Sequence, residues 1–372
     1  MNASASHPPV RISPVAGLLA AIPPLLGFTP ENSLVVVGVT PEGRVQVAFR
    51  YDLPTPPSAD AAAEIAKHAL GVLTHQKLAL AIVAGYGPGT SVTPLADTFR
   101  AAAPEGGVRL HDVLRVEDGR FWSYLCTDPA CCAAEGVVFD PAAEPAAQAL
   151  VAAGQRVLPS RDALAATVAP VTGARAEAMQ QATKQAKRAA ARLITRKGPD
   201  ALVRPGLTAV SAAIGLYRDG GSMVPTIGFA WLTLVLKQLR IRDDAWARMD
   251  PHHHAAHRRL WTDLVRRAQS GYVAAPACLL AFTAWQGGDG ALANIALDRA
   301  LADDPAYSMA LLLRDILDAG VPPTEAVLPM TPEQVADSYP AIRQDPAASG
   351  QSSHCGGPEQ VADDDPDAPS PS

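Results

Sequence analysis

SLVVVGV, residues 33–39, holds four β-branched valines behind a single polar residue. A half-buried strand alternates apolar and polar positions. An uninterrupted run such as this one fits a strand covered on both faces. The next four residues, TPEG (40–43), are turn formers, and RVQVAFRYDL (44–53) opens with alternation, so 33–53 reads as a hairpin. LALAIVAGYG (78–87) is a second buried strand that ends in glycines. VRLHDVLRV (108–116) and RFWSYLC (120–126) are two more, joined by the turn EDG. Helical patterns at 58–73 and 93–103 separate these strands. Strands alternating with helices predict an α/β domain over 13–140, a mixed sheet with flanking helices. Upstream, PVAGLLAAIPPLLGF (14–28) predicts a short helix capped by Ser13 that stops after Ala21 at the Pro23-Pro24 pair.

Beyond Asp140 the strand pattern ends. Helical periodicity recurs at 141–154, 160–170, 173–194, 199–217, 224–240, 243–249, 253–269, 274–286, 290–303 and 306–319. This is an all-α domain over 141–330 with short connections. In ACLLAFTAWQGGDGALANIALDRALADDPAY (277–307), small residues at helical spacing and a following proline resemble a tetratricopeptide-like hairpin. Residues 1–12 and the polar, Pro-, Ser- and Asp-rich tail 331–372 are expected to lack fixed structure.

Charge narrows the function classes. The chain carries a net −6, but six acids and one base lie beyond residue 340, which leaves the body nearly neutral. No global basic field points to nucleic acid, and no polybasic cluster points to a membrane surface. The longest apolar stretches are too short, or too broken by proline, to span a bilayer. Five cysteines, an odd number in a long chain, fit a reducing compartment, so a cytoplasmic protein is expected.

The densest chemical signal is LCTDPACC (125–132), with Cys126, Cys131 and Cys132. Its spacing admits a zinc site, a redox pair of Cys126 and Cys131, a nucleophile, or inert buried thiols. Zinc would need a distant fourth ligand such as His111. Adjacent cysteines on extended chain point apart, so no more than two of the three are expected to converge. Gly85, Gly87, Gly89 and Thr90 lie between a strand and a helix, where backbone amides can hold an anion; the alternative is a tight turn. Asn32 and Ser33 precede the first strand and are expected at a sheet edge. His253 and His257 share a helix face at i, i+4, but His254 stands where a zincin would carry glutamate. Lys184, Arg188, Arg192 and Arg196 recur every four residues opposite an apolar face.

Several phrases in combination resemble the actinobacterial family catalogued as domain of unknown function 4192. They are PPLLGFTPENSLVVVG (23–38), YDLP (51–54), RFWSYLCTDPACC (120–132), RIRDDAWARM (240–249) and the 275–313 segment around AFTAWQGGDGALANIALDRALADDPAY. The resemblance runs from about residue 13 to 323. It implies a family without an assigned activity, so it supplies no mechanism. Where that family's pattern has proline after the double cysteine, this chain has Ala133. The expected function is a non-catalytic, cytoplasmic protein-interaction or regulatory module that binds a protein partner through 200–323. The alternative is a small-ligand-binding protein or enzyme with its site between the 85–90 and 126–132 loops.

Overall fold

A computed structural model describes residues 15–223, 225–325 and 330–339. The valine run forms β1 (Ser33–Val39), every residue of it buried. It pairs antiparallel with β2 (Val45–Asp52) through the 40–43 turn, and antiparallel on its other side with β3 (Leu80–Tyr86). β3 pairs parallel with β4 (Arg109–Glu117). β4 turns back into β5 (Arg120–Ser123), and a two-residue β6 (Val137–Val138) closes the edge. The strand order is β2-β1-β3-β4-β5-β6, a mixed sheet.

Strand periodicity divides the core in two. Leu34, Val36, Ala81, Val83 and Val113 face the helices α2 (Ala59–His75) and α3 (Gly89–Ala102). Val35, Val37, Ile82, Ala84 and Leu114 face the other way, into a cluster shared with α1 (Val15–Leu26) and the helical half. That half begins with α4 (Pro145–Ala152), α5 (Arg161–Ala166), α6 (Ala174–Lys197) and α7 (Val203–Arg218). It continues with α8 (Thr226–Val235), α9 (Leu239–Ala247), α10 (His254–Arg267) and α11 (Ala274–Gln286). It ends with α12 (Gly290–Asp303), α13 (Ser308–Asp318) and α14 (Pro332–Ser338). All residues of α11 from Ala274 to Trp285 are buried, so the α11–α12 pair is the centre of this half rather than an outer layer.

The fold class is as the sequence implies, an N-terminal mixed sheet followed by helices, but residue 140 is no break in the core. Val35 and Leu114 share one apolar cluster with Trp261, Leu264 and Leu279, and the described residues through Tyr339 belong to one compact unit.

Four local expectations are corrected. First, α1 does not stop at Ala21 but runs through both prolines to Leu26. The two missing N–H groups cost helical bonds to Leu19 and Ala20. Burial of Ile22, Pro23, Pro24 and Leu26 offsets this, and Gly27, at φ +79°, donates to the Pro23 carbonyl to end the helix. Second, the helix expected over 224–240 divides into α8 and α9 around an extended Gln238, which lets Val235, Leu236 and Ile241 all be buried. Third, the RFWSYLC strand ends at Ser123, so Cys126 lies beyond it. Fourth, the tail expected from residue 331 opens with α14. A Thr331–Gln334 capping box starts this helix, Val335 anchors it, and the Tyr339 hydroxyl donates to Asp243. Residues 1–12 and 340–372 lie outside the described residues.

The shared cluster yields a test. Leu114, fully buried on β4, faces the helical half. Leu114→Ala is expected to cost about 2–5 kcal/mol in chemical denaturation. The loss should appear as one transition followed by both sheet and helix signals; two separated transitions would contradict a common core.

Candidate functional site

β5 is short, and its end builds the cysteine loop. Ser123 Oγ donates to Asp112 Oδ1 at 2.6 Å and accepts from the amides of Leu125 (3.1 Å) and Cys126 (3.0 Å). Asp112 is itself buried and accepts from the Val113 amide. The start of the loop is thus pinned to β4. Asp128 then turns the chain. Its carboxylate accepts from Ala130 N at 2.9 Å, and its carbonyl accepts from both Cys131 N (3.1 Å) and Cys132 N (2.8 Å).

This turn overturns the expectation that no more than two cysteines converge. On extended chain, neighbouring side chains point about 180° apart. In a turn with i→i+3 and i→i+4 bonds they are offset by about 100°, as in a helix. Cys131 and Cys132 both lean back toward Cys126, and all three sulfurs lie within 4.8 Å of one another. Cys131 is exposed and the other two are half-buried, so these thiols are not inert core; among the described cysteines Cys278 is the buried one.

The cluster divides its protons unequally. The Cys132 thiol, hydrogen-bonded to the Cys126 sulfur, holds Cys126 below the ordinary thiol range. Burial, reinforced by the neighbouring sulfurs, pushes Cys132 up to about 12. Burial also pushes Cys278 up to about 12. The set offers three soft donors for one ion. No histidine or carboxylate among the described residues joins it, and His111 stays exposed on β4 outside the group.

The glycine loop has packing reasons for its glycines. A Cβ on Gly85 would overlap Val92 of α3, and one on Gly89 would overlap the Arg115 guanidinium. Gly87 takes φ +147°, beside Leu53 and Asn32. Thr90 is exposed in the first turn of α3. Asn32 has φ 44°, and its carbonyl accepts from Leu53 N. Ser33 is fully buried rather than at an edge, because β1 is interior to the sheet; its Oγ accepts from Arg50 Nε at 2.6 Å. Gly87, Asn32 and Leu53 therefore meet, but as a strand-end junction.

Arg115 and Trp122 connect the two candidate loops, and a search for reactive residue types passes over them. The Arg115 guanidinium lies 3.7 Å from the Trp122 ring centre and pairs with Glu117 at 3.6 Å. Trp122 Nε1 donates to the Ala134 carbonyl, and the ring fills the space a Cβ on Gly136 would need. Gly89, Arg115, Trp122 and Gly136 thus form a packed row. The signal for it is Asp118-Gly119, whose positive φ values of 46° and 71° make a two-residue hairpin turn. Counting outward from that turn pairs 117 with 120 and 115 with 122, which is the register formed.

The histidines do not form a metal pair. His253 Nδ1 meets Asp250 Oδ2 at 2.7 Å, whereas His257 is buried with Nε2 accepting from Asp250 N. Burial pulls the His257 pKa down to about 4. An open groove between α2 and α3, lined by Ala63, Lys67, Gly71, Thr74 and Glu105, takes no residue from either loop. Among the described residues no helix is long and apolar enough to cross a membrane.

A family model described as "Domain of unknown function (DUF4192)" matches residues 16–324, most of the chain, and the chain belongs to that family. No curated protein and no solved structure matches it.

The unequal thiols predict an order of modification. Thiolate is the reactive form, so Cys126, with its lowered pKa, should alkylate at a lower pH than an ordinary cysteine. Cys132 and Cys278 should remain protonated and unreacted through pH 9. Peptide mapping after brief alkylation between pH 6 and 9 checks this. Early labelling of Cys132 ahead of Cys126 would contradict the proton arrangement.

Proposed function

We propose that this family member is a non-catalytic regulatory module whose α/β half carries a thiolate site for a thiophilic metal ion and whose helical half meets a protein partner. The observation that carries the reading is the convergence of the Cys126, Cys131 and Cys132 sulfurs on a loop pinned to buried Asp112. Zinc–sulfur bonds of about 2.3 Å set sulfurs about 3.8 Å apart around a tetrahedral ion, so a small closure of the cluster suffices. With three protein donors the fourth position of zinc is open to water or to a ligand from another molecule. Copper(I), a softer ion, is also satisfied by thiolates. Binding would displace the protons that the cluster shares.

The partner surface rests on α13, which buries Met309, Ala310 and Leu313 yet leaves Leu311 and Leu312 about half exposed. Against the alternative of a ligand or catalytic pocket between the 85–90 and 126–132 loops stand Arg115 and Trp122. They fill the space between Gly89 and residues 134–136.

The metal reading is tested by native mass spectrometry of the reduced, full chain with one equivalent of zinc or copper(I). One bound ion is expected, together with protection of three thiols from alkylation. Cys131→Ser should weaken binding at least tenfold, as loss of one of three ligands requires. An apo mass with all three thiols still reactive would remove the reading. For the partner surface, Leu311→Glu combined with Leu312→Glu should abolish partner capture with an unchanged thermal midpoint. Undiminished capture would place the contact elsewhere.

A further inference from the structure

α6 buries one narrow stripe, Met179, Ala182, Thr183, Ala186 and Ala190, and packs chiefly on α8. Its other sides are open. Lys184, Lys187, Arg188, Arg192, Arg196 and Lys197 are all exposed there. From Met179 to Pro199 the sequence holds no acid. Among the described residues none of these six cations has an ion-pair partner. Other helices of this half neutralise their arginines: Arg242 pairs with Asp243, Arg258 with Asp289 and Arg314 with Asp298.

Helix stability does not account for the row. Like charges four residues apart on a helix repel. Lys184, Arg188, Arg192 and Arg196 place three such pairs in succession. The negative end of the helix dipole favours Arg196 and Lys197 in the last turn, but not the four cations before them. Lys187 and exposed Lys237, which follows α8, also crowd one Tyr272 ring at 5.1 and 5.2 Å. A second segment thus adds charge of the same sign.

Unneutralised cations in a row fit a polyanion, and the setting selects which one. Positions 184 to 196 span about 18 Å along the helix axis. A DNA duplex carries one phosphate charge per about 1.7 Å of its own axis, so several phosphates lie within reach of the row. The exposed residues among the cations, Gln185, Ala191 and Thr195, are uncharged and do not hold a backbone off. α6 has no aromatic side chain, so it offers no platform on which single-stranded bases could stack. Its apolar stripe is turned inward, so the helix has no face to sink into a bilayer surface. The wide major groove of B-DNA admits a helix, whereas that of duplex RNA is too deep and narrow.

We infer that the outer face of α6 is a docking surface for the phosphate backbone of a DNA duplex. The contact answers charge and carries no sequence information. On a nearly neutral body the field is local, so binding is strong at low ionic strength and weak at high. The surface shares no residue with the thiolate site or with Leu311 and Leu312 of α13.

The test uses the full chain and fluorescence anisotropy with a labelled DNA duplex of about 20 base pairs, between about 50 and 200 mM salt. Affinity should fall with salt at a logarithmic slope of about −3 to −4, as about four phosphate contacts require, and should be the same for a duplex of shuffled sequence. The variant Lys184→Gln, Arg188→Gln, Arg192→Gln and Arg196→Gln replaces exposed cations with another good helix former, and it should lose at least tenfold in affinity at the lowest salt with an unchanged thermal midpoint. Arg192→Gln alone should reduce the slope by about 0.9. A control with the same net charge, Arg44→Gln, Lys67→Gln, Arg100→Gln and Arg109→Gln, removes exposed cations from the α/β half and should bind like the parent. No binding at the lowest salt, or an equal loss in the control, would overturn the proposal. So would tighter binding to single-stranded DNA, to duplex RNA or to phosphatidylglycerol vesicles than to the duplex, since each makes a different polyanion the occupant.

Discussion

Burial of β1 on both faces is the constraint on which the rest of the structure depends. A strand with Leu34 and Val36 on one side and Val35, Val37 and Val39 on the other needs two separate covers. α2 and α3 supply one within the α/β half. The other is supplied by α1 and by helices from the far end of the chain. The two halves are therefore one cooperative object, although their secondary structure changes abruptly at residue 140. At about 25 cal/mol per Å² of apolar surface removed from water, a face lined by Ile82, Ala84 and Leu114 could not be left bare.

Much of this was legible because it is local. Alternation, turn formers and helical spacing located β1 to β5 and nearly every helix. What failed did so where distant packing overrides local preference. Pro23 and Pro24 break helices in water, but here they are buried against the core and α1 continues through them. β6 has two residues and no periodicity to detect. The antiparallel pairing of β1 with β3, across some forty residues, leaves no local mark. Ser33 reads as an edge residue because the sequence reveals only the hairpin partner β2 and not the β3 strand on the other side.

The candidate site divides in the same way. The cysteines were conspicuous, but their convergence is a property of the backbone after Asp128, and composition cannot reveal which bonds a carbonyl accepts. The Arg115–Trp122 contact was hidden in plain arithmetic, three positions outward on each side of Asp118-Gly119. The residues chosen for reactivity and the residues that organise the space around them are different sets. A site reading from sequence gains by locating the turns before the nucleophiles.

The shared core also has a consequence for synthesis. The N-terminal sheet emerges from the ribosome first, but the apolar cluster that its second face joins is completed by helices from α5 to α13. At ordinary elongation rates of about 5–20 residues per second, some ten seconds or more separate the exposed face from its cover. Of the helices in that cluster, only α1 precedes the sheet in the chain. The nascent chain thus presents an apolar sheet surface in an orderly but unfinished state. The helical half then serves as an intramolecular chaperone that arrives last and stays.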